Sequence, residues 1–282
     1  MNISELDTFV RVAESGSISA ASEQLYVSQP AVSRRIQALE QRLNTALFDR
    51  LGKRLQLNAA GRALLPQAQQ IMATWQDTQR QLETLSDQVS GELHLATSHH
   101  IGLHRLAPVL REFRQRYPEV QLNIQFEDSE VAHELVRESR IELAIATLPP
   151  EQPADLYSEI IWHDPLIFVG AQAYQANLAE LAAQPCVLPG PSTYTGRMVV
   201  SLFADQGLTL RPAMATNYLE TIHMLVGVGL GWSMLPATMQ QTLARLEVDA
   251  PPLQRELGLV FHPQRVMSNA ASAFIDVLRD SR

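Results

Sequence analysis

Residues 17–58, SISAASEQLYVSQPAVSRRIQALEQRLNTALFDRLGKRLQLN, constrain the fold more than any other stretch of the chain. Ahead of them, ISELDTFVRVAES puts Ile3, Leu6, Phe9, Val10 and Ala13 on one helical stripe that Gly16 ends. Ser17 can cap a second short helix whose inward face is Ala20, Ala21 and Leu25. Val27-Ser28 makes a tight turn, with Ser28 a plausible cap for a third helix. Pro30 in its first turn costs little, because its missing N–H would have no intrahelical partner anyway. Val32, Ile36, Leu39 and Leu43 recur at helical spacing and leave Gln29, Ser33, Arg34 and Gln37 outward. Two short strands then flank a Gly-Lys-Arg tip, with Leu47 and Phe48 tying the hairpin to the helices. A helix that opens with small polar groups and carries paired arginines, beside a basic-tipped hairpin, is suited to a DNA groove.

Charge follows the same division. The whole chain carries a net charge of -8, which argues against a nucleic-acid binder until its distribution is read. Residues 34–62 hold seven basic groups and two acidic ones, whereas residues 91–282 hold 13 basic against 21 acidic. Positive potential is concentrated where phosphate contact is expected, and the acidic remainder belongs to a body that need not touch DNA.

Asn58 can cap a long helix over about 59–88, where Leu64, Ala68, Ile71, Trp75, Leu82 and Leu85 form one apolar seam and Pro66 lies near the first turns. Such a helix with little globular sequence beside it wants a partner helix, and a second copy of the chain is the simplest one. After Ser90-Gly91 the periodicity changes. GELHLAT, VQLNIQFED and IELAIATLP read as strands alternating with helical RLAPVLREFRQRYP and EVAHELVRES. A second set follows: DPLIFVG, a helix near 174–183, CVLPG, a helix over 195–207, LRPAMAT, a helix over 218–228 and GWSMLP. Two such sets imply an open α/β domain of two lobes, joined near 161–165 and again near 262–268, with NAASAFIDVLR returning to the first lobe. The expected domains are 1–58 for DNA binding, 59–89 for the linker and dimerisation helix, and 90–282 for sensing. Lobe I then spans about 90–162 and 268–282, and lobe II about 163–267.

The sequence resembles the LysR-type transcriptional regulators along nearly its whole length. The run from LDTFVRVAES through LQLNAAG matches the family's winged helix-turn-helix in order and spacing. GELHLATS, RYPEVQL, LAIAT, VGVGLGWSMLP and the closing helix resemble its effector-binding domain, a two-lobed fold like that of periplasmic solute-binding proteins. The resemblance implies a homodimer, assembled further into a homotetramer, on double-stranded promoter DNA. It also implies activation or repression through a small-molecule co-inducer and access of RNA polymerase. It places Ser28, Gln29, Pro30, Ser33, Arg34 and Arg35 at the major groove, with Gln29 the first choice for a base edge. Arg35, Arg50, Lys53 and Arg54 are better suited to backbone and minor-groove contacts.

In a two-lobed α/β fold, ligands bind between lobes where strand ends and helix N-termini converge. Ser98, His99, His100 and Ile101 follow the first strand, Thr147 closes LAIAT, and Thr193 and Thr195 lead into a helix of the second lobe. Asn217 and Gly229 can face the same cleft. Hydroxyls and unpaired backbone N–H groups at such turns suit a carboxylate or other oxyanion, so an anionic metabolite is the expected effector and no cofactor is expected.

Other functions find less support. The single Cys186, set between two prolines, excludes an intrachain disulfide and a cysteine zinc site, and weakens a redox-sensing reading. His104, His133 and His223 are scattered, and no metal site is expected. No Gly-x-Ser-x-Gly elbow or phosphate-binding glycine loop is present, and the glycines of GVGLGW precede a strand instead of opening a helix, so no enzyme is expected. A solute-binding transport component would call for an export signal, which MNISELDTF does not supply. An effector-independent DNA binder would leave the large α/β domain without a task. A cytoplasmic protein with no membrane association is expected.

Overall fold

The computed structural model describes residues 2–51, 54–83 and 88–281, with only the backbone of Arg50, Leu51, Arg54, Glu83 and Gln241. The chain divides into two compact units, residues 1–83 and 84–282. Among the described residues no helix is long and apolar enough to cross a membrane.

In the first unit, α1 (Ile3–Ser15) opens with a capping box between Asn2 and Glu5 and ends at Gly16 in the left-handed region. Helix α2 (Ile18–Gln24) is capped by the Ser17 side chain, which accepts from the Ala20 N–H, and α3 (Gln29–Leu43) follows after a four-residue turn. Ser28 occupies the cap position of α3, yet its side chain makes no capping hydrogen bond. Strands β1 (Phe48–Leu51) and β2 (Arg54–Leu57) pair antiparallel as the wing. Asn58 caps α4 (Ala59–Glu83) by accepting the Gly61 N–H at 2.9 Å. The part of the expected linker helix over 84–87 lies outside the described residues.

One apolar cluster joins the helices to the wing. Leu6, Phe9 and Val12 of α1 meet Ala21, Val32, Ile36 and Leu39, with Leu47 and Ala68 closing it. Phe9 and Phe48 rings pack with centroids 5.5 Å apart. Each fully buried large side chain here contributes about 1.5–3 kcal/mol. Leu43, expected on the packed face, is 39% exposed, because the helix outruns the neighbours that could cover its last turn.

The second unit opens with β3 (Gly91–Thr97), the single turn α5 (His99–Ile101) with a π-helical turn over Gly102–Leu106, and α6 (Ala107–Arg116). Next come β4 (Val120–Phe126), α7 (Ser129–Arg137), β5 (Leu143–Thr147) and the long β6 (Tyr157–Gly170). Then follow β7 (Gln175–Asn177), α8 (Leu178–Ala182), β8 (Val187–Leu188), α9 (Tyr194–Ala204), β9 (Met214–Ala215), α10 (Leu219–Gly227) and β10 (Ser233–Pro236). The chain closes with β11 (Ala244–Arg245), β12 (Glu247–Asp249), β13 (Leu253–Phe261) and α11 (Asn269–Asp280).

The main sheet runs in the order β10-β6-β13-β5-β3-β4. Its first lobe has β3, β4 and β5 parallel, with α11 packed over them through Phe274, Ile275 and Leu278 against Leu93, Leu95 and Phe113. The second lobe centres on Trp232, which stacks on Phe203 and donates its indole N–H to the Leu181 carbonyl at 2.9 Å. Two antiparallel strands, β6 and β13, run through both lobes. The return crossing therefore lies inside β13, earlier than the expected 262–268. The polar triplet Gln254-Arg255-Glu256 had masked this strand in the sequence. The pairing of β6 and β13 shifts register between Leu257 and Gly258. There a Cβ on Gly258 would lie 2.2 Å from the Glu159 carbonyl oxygen, so only glycine permits the approach.

Candidate functional site

The first unit presents one polar face. Ser28, Gln29, Pro30 and Arg34 are exposed at the start of α3, and Ser33 is half-buried beside them. Gln29 Nε2 donates to the Ser19 hydroxyl at 3.1 Å, which ties the two helices at the surface, and Arg34 Nε donates to the Pro30 carbonyl. Arg35 turns toward α1, where Nη1 donates to Thr8 Oγ1 at 3.3 Å. Tyr26, in the left-handed region with φ 52°, is 96% exposed in the turn between α2 and α3. It was not singled out from sequence, although an aromatic in a helix-turn-helix loop with no apolar partner in reach is a readable signal. Arg50 and Arg54 sit on the wing strands; Lys53 lies outside the described residues.

The second unit holds a cavity of about 50 Å³ between its lobes. Ser98, His99, His100, Thr147, Thr193, Thr195 and Asn217 all line it. Ser98 caps α5, and His99 stands edge-on to both Phe126 and Tyr218, with centroids 5.2 and 5.0 Å away. The Thr147 N–H donates to Ser129 Oγ at 3.0 Å. Thr193 caps α9, and Asn217 accepts the Gly190 N–H while donating to the Asp128 carboxylate. Two expected residues do not line the cavity. Ile101 is wholly buried in the apolar core of lobe I, because the tight turn after Ser98 points it inward. Gly229 holds φ 85° in the turn between α10 and β10, which serves the turn and not the cavity.

Arg255 is the residue that sequence reasoning missed. It lines the cavity, is only 5% exposed, and donates from Nε to Asp164 Oδ2 at 2.7 Å and from Nη1 to Thr195 Oγ1 at 3.3 Å. Its Nη2 is buried with no hydrogen-bond partner. Asp164, fully buried on β6, also accepts from Arg105 Nη2 at 3.2 Å. Burial holds the Arg255 pKa below its usual range, against the pull of the Asp164 charge. A signal existed: Arg255 alternates with Leu253, Leu257 and Leu259 on one strand face, so an arginine stands at a core position.

Carboxylates also reach across the cleft. Glu130, at the start of α7, accepts the Tyr194 N–H at the N-terminus of α9, and its pKa is raised by burial. Cys186 is buried in lobe II with its thiol pushed up to about 11 by burial, the environment of an inert thiol.

Residues 3–62 match the model of the bacterial regulatory helix-turn-helix proteins of the lysR family, and residues 86–282 match the LysR substrate binding domain. The chain belongs to the LysR family. It is thus a DNA-binding regulator of transcription with a ligand-binding C-terminal domain, and not an enzyme. One relative, an uncharacterized HTH-type transcriptional regulator in the ibpB-leuC intergenic region of Azotobacter vinelandii, is 57% identical over 108 residues, covering 38% of this chain and 75% of its own. A probable RuBisCO transcriptional regulator of Synechocystis sp. is 31% identical over 294 residues, covering 97% of this chain and 84% of its own. Among solved structures, full-length CbnR complexed with its target DNA aligns over 100% of both chains with a TM-score of 0.66 at 23% identity.

Proposed function

We propose that this LysR-family protein reads promoter DNA with the N-terminal turn of α3, pairs through α4 into dimers that assemble as a tetramer, and adjusts that binding when a small anion enters between the lobes of its second unit. The anion reading is carried by Arg255. Arg255 lines the cavity and its Nη2 is buried without a hydrogen-bond partner, so a carboxylate or inorganic oxyanion that reached it would supply the missing acceptor in charge-assisted geometry. Size restricts the class. A water needs roughly 10–15 Å³ of such volume, so a cavity of about 50 Å³ suits an anion of a few heavy atoms. Asp128 and Glu130 also line the cavity, and they are engaged by the Asn217 amide and the Tyr194 N–H.

The anion acts by preferring one lobe arrangement over another, and only that difference in affinity can move the DNA-binding equilibrium. Strands β6 and β13, with their register shift, are the connection about which the lobes adjust. A changed DNA bend then alters access of RNA polymerase.

Selection of genomic fragments by the purified protein, followed by nuclease footprinting, tests the DNA half of this reading. An extended, dyad-symmetric footprint is expected; no enrichment at any salt concentration would refute it. For the effector half, small carboxylates and inorganic oxyanions are screened by thermal shift against neutral amides of similar size. At least one anion should raise the unfolding midpoint and alter the footprint while the amides do neither. If no anion does so, the reading fails.

Two substitutions refine the assignments. Gln29→Ala should relax discrimination at one base pair by about 1–3 kcal/mol, and Arg34→Ala should weaken all sequences and reduce the salt slope by about one. Unchanged affinity and slope would remove Arg34 from the interface. Thr147→Val should weaken the anion response and leave anion-free DNA binding nearly unchanged, as titrated band shifts with and without the anion would measure.

A further inference from the structure

His100, His104 and Glu220 form a second constellation, outside the DNA face and on the far side of His100 from Asp164. The two histidines lie four residues apart along α5 and the π-helical turn after it, with ring centroids 4.7 Å apart. Glu220 comes from the first turn of α10 in the other lobe, 116 residues from His104. His104 Nε2 lies 3.2 Å from Glu220 Oε1 and His100 Nδ1 lies 3.8 Å from the same oxygen, with all three ligand atoms within 4.8 Å of one another. Zinc bonds of about 2.0–2.1 Å give a tetrahedral edge of about 3.3 Å. The 3.2 Å contact matches that edge, and the other two, at 3.8 Å and within 4.8 Å, must shorten to reach it.

We propose that His100, His104 and Glu220 bind a divalent transition-metal ion of the zinc class that ties the two lobes together. His100 supplies the strongest support: it is 4% exposed, and neither ring nitrogen has a hydrogen-bond partner. A buried polar ring in that state is costly unless something engages it. Metal bonded at Nδ1 leaves the Nε2–H toward Asp164 Oδ2, now 3.9 Å away, which is the carboxylate–histidine–metal arrangement that fixes ligand orientation.

The donor set selects the ion. Two imidazoles and one carboxylate suit zinc, nickel or copper, while calcium and magnesium call for more oxygen ligands. Three protein ligands leave a further coordination position to water or an anion. The side chains of His104 and Glu220 are 37% and 36% exposed, which opens a route of entry. Arg105 and Arg255, the nearby cations, are both engaged by Asp164, which tempers their repulsion of an incoming ion.

Untagged full-length protein, stripped with a chelator and titrated with Co²⁺, should bind one ion per chain with the visible absorption of a low-symmetry nitrogen and oxygen site. Zn²⁺ should displace it. Outer-shell substitutions alone cost about 10–100-fold in metal affinity, so Glu220→Gln and His104→Gln should each lose at least that much. Both positions are partly exposed, and metal-free thermal unfolding of each variant should match the parent. Cys186→Ser should leave the titration unchanged. No saturable binding, equal binding by the Glu220 and His104 variants, or loss on Cys186→Ser would each overturn the site. The ion and the anion share His100, but the titration contains no candidate anion. Its failure leaves the cleft anion standing, and failure of the anion screen leaves this metal site standing.

Discussion

Asp164→Asn is expected to lower the unfolding free energy of the second unit by about 3–5 kcal/mol, the usual cost of removing one partner from a buried ion pair. Asp164 is fully buried and is the carboxylate that Arg255 Nε and Arg105 Nη2 both reach, at 2.7 and 3.2 Å. Asparagine retains the shape but not the charge, and Arg255 then remains 5% exposed with no counter-charge in contact. Denaturant unfolding followed by tryptophan fluorescence reports the loss, since Trp162 and Trp232 both lie in this unit. Arg105→Met should cost far less, because that side chain is 24% exposed and water can replace part of its role. Replacing the pair together, as Asp164→Leu with Arg255→Met, should recover much of the stability while abolishing the anion response. A loss of under 1 kcal/mol in Asp164→Asn would mean that water reaches the pair, and would weaken Arg255 as the anion's anchor.

That pair marks the boundary of what the sequence made legible. The DNA-reading unit could be read residue by residue because its determinants are local: the Ser17 and Asn58 caps, the Gly16 stop, and a helical stripe through Val32, Ile36 and Leu39. Ser98, Thr147 and Thr193 could be placed near one another because strand ends and helix starts of a two-lobed sheet converge by topology alone. Nothing local announces a meeting of Asp164 with Arg255 across 91 residues, or of His104 with Glu220 across 116. Those contacts arise from the pairing of β6 with β13 and from the closure of α10 on lobe I. The strand carrying Arg255 was unread because three polar residues precede its apolar run. LRPAMAT, expected to be a full strand, pairs only at Met214 and Ala215, since the adjoining β8 offers just two residues. The closing helix was legible in both extent and destination, its apolar face being long enough to demand a core.

Substituting Trp75→Glu and Leu82→Glu together is expected to break the proposed α4 pairing, to halve the mass of the assembly, and to lower affinity for a two-half-site promoter by about 10²–10⁴-fold, the range that linkage of two binding modules confers. In α4, Ile71, Trp75 and Leu82 are 36%, 44% and 64% exposed, and their spacing of four and seven residues puts them on one stripe. By contrast Ala68, one turn earlier, is fully buried in the cluster beneath the wing, so the helix changes from intramolecular to unpartnered packing along its length. An isologous seam brings each residue near its own copy or a close neighbour. Glutamates there add like charges in apolar surroundings and need not disturb the core of either unit. Affinity for a single half-site should be unchanged, which separates lost pairing from lost folding. Sedimentation velocity at the concentrations used for binding provides the second reading. An assembly mass that is unchanged with both glutamates in place would show that α4 is not the seam, and the spacing of half-sites would then have to be set by another surface.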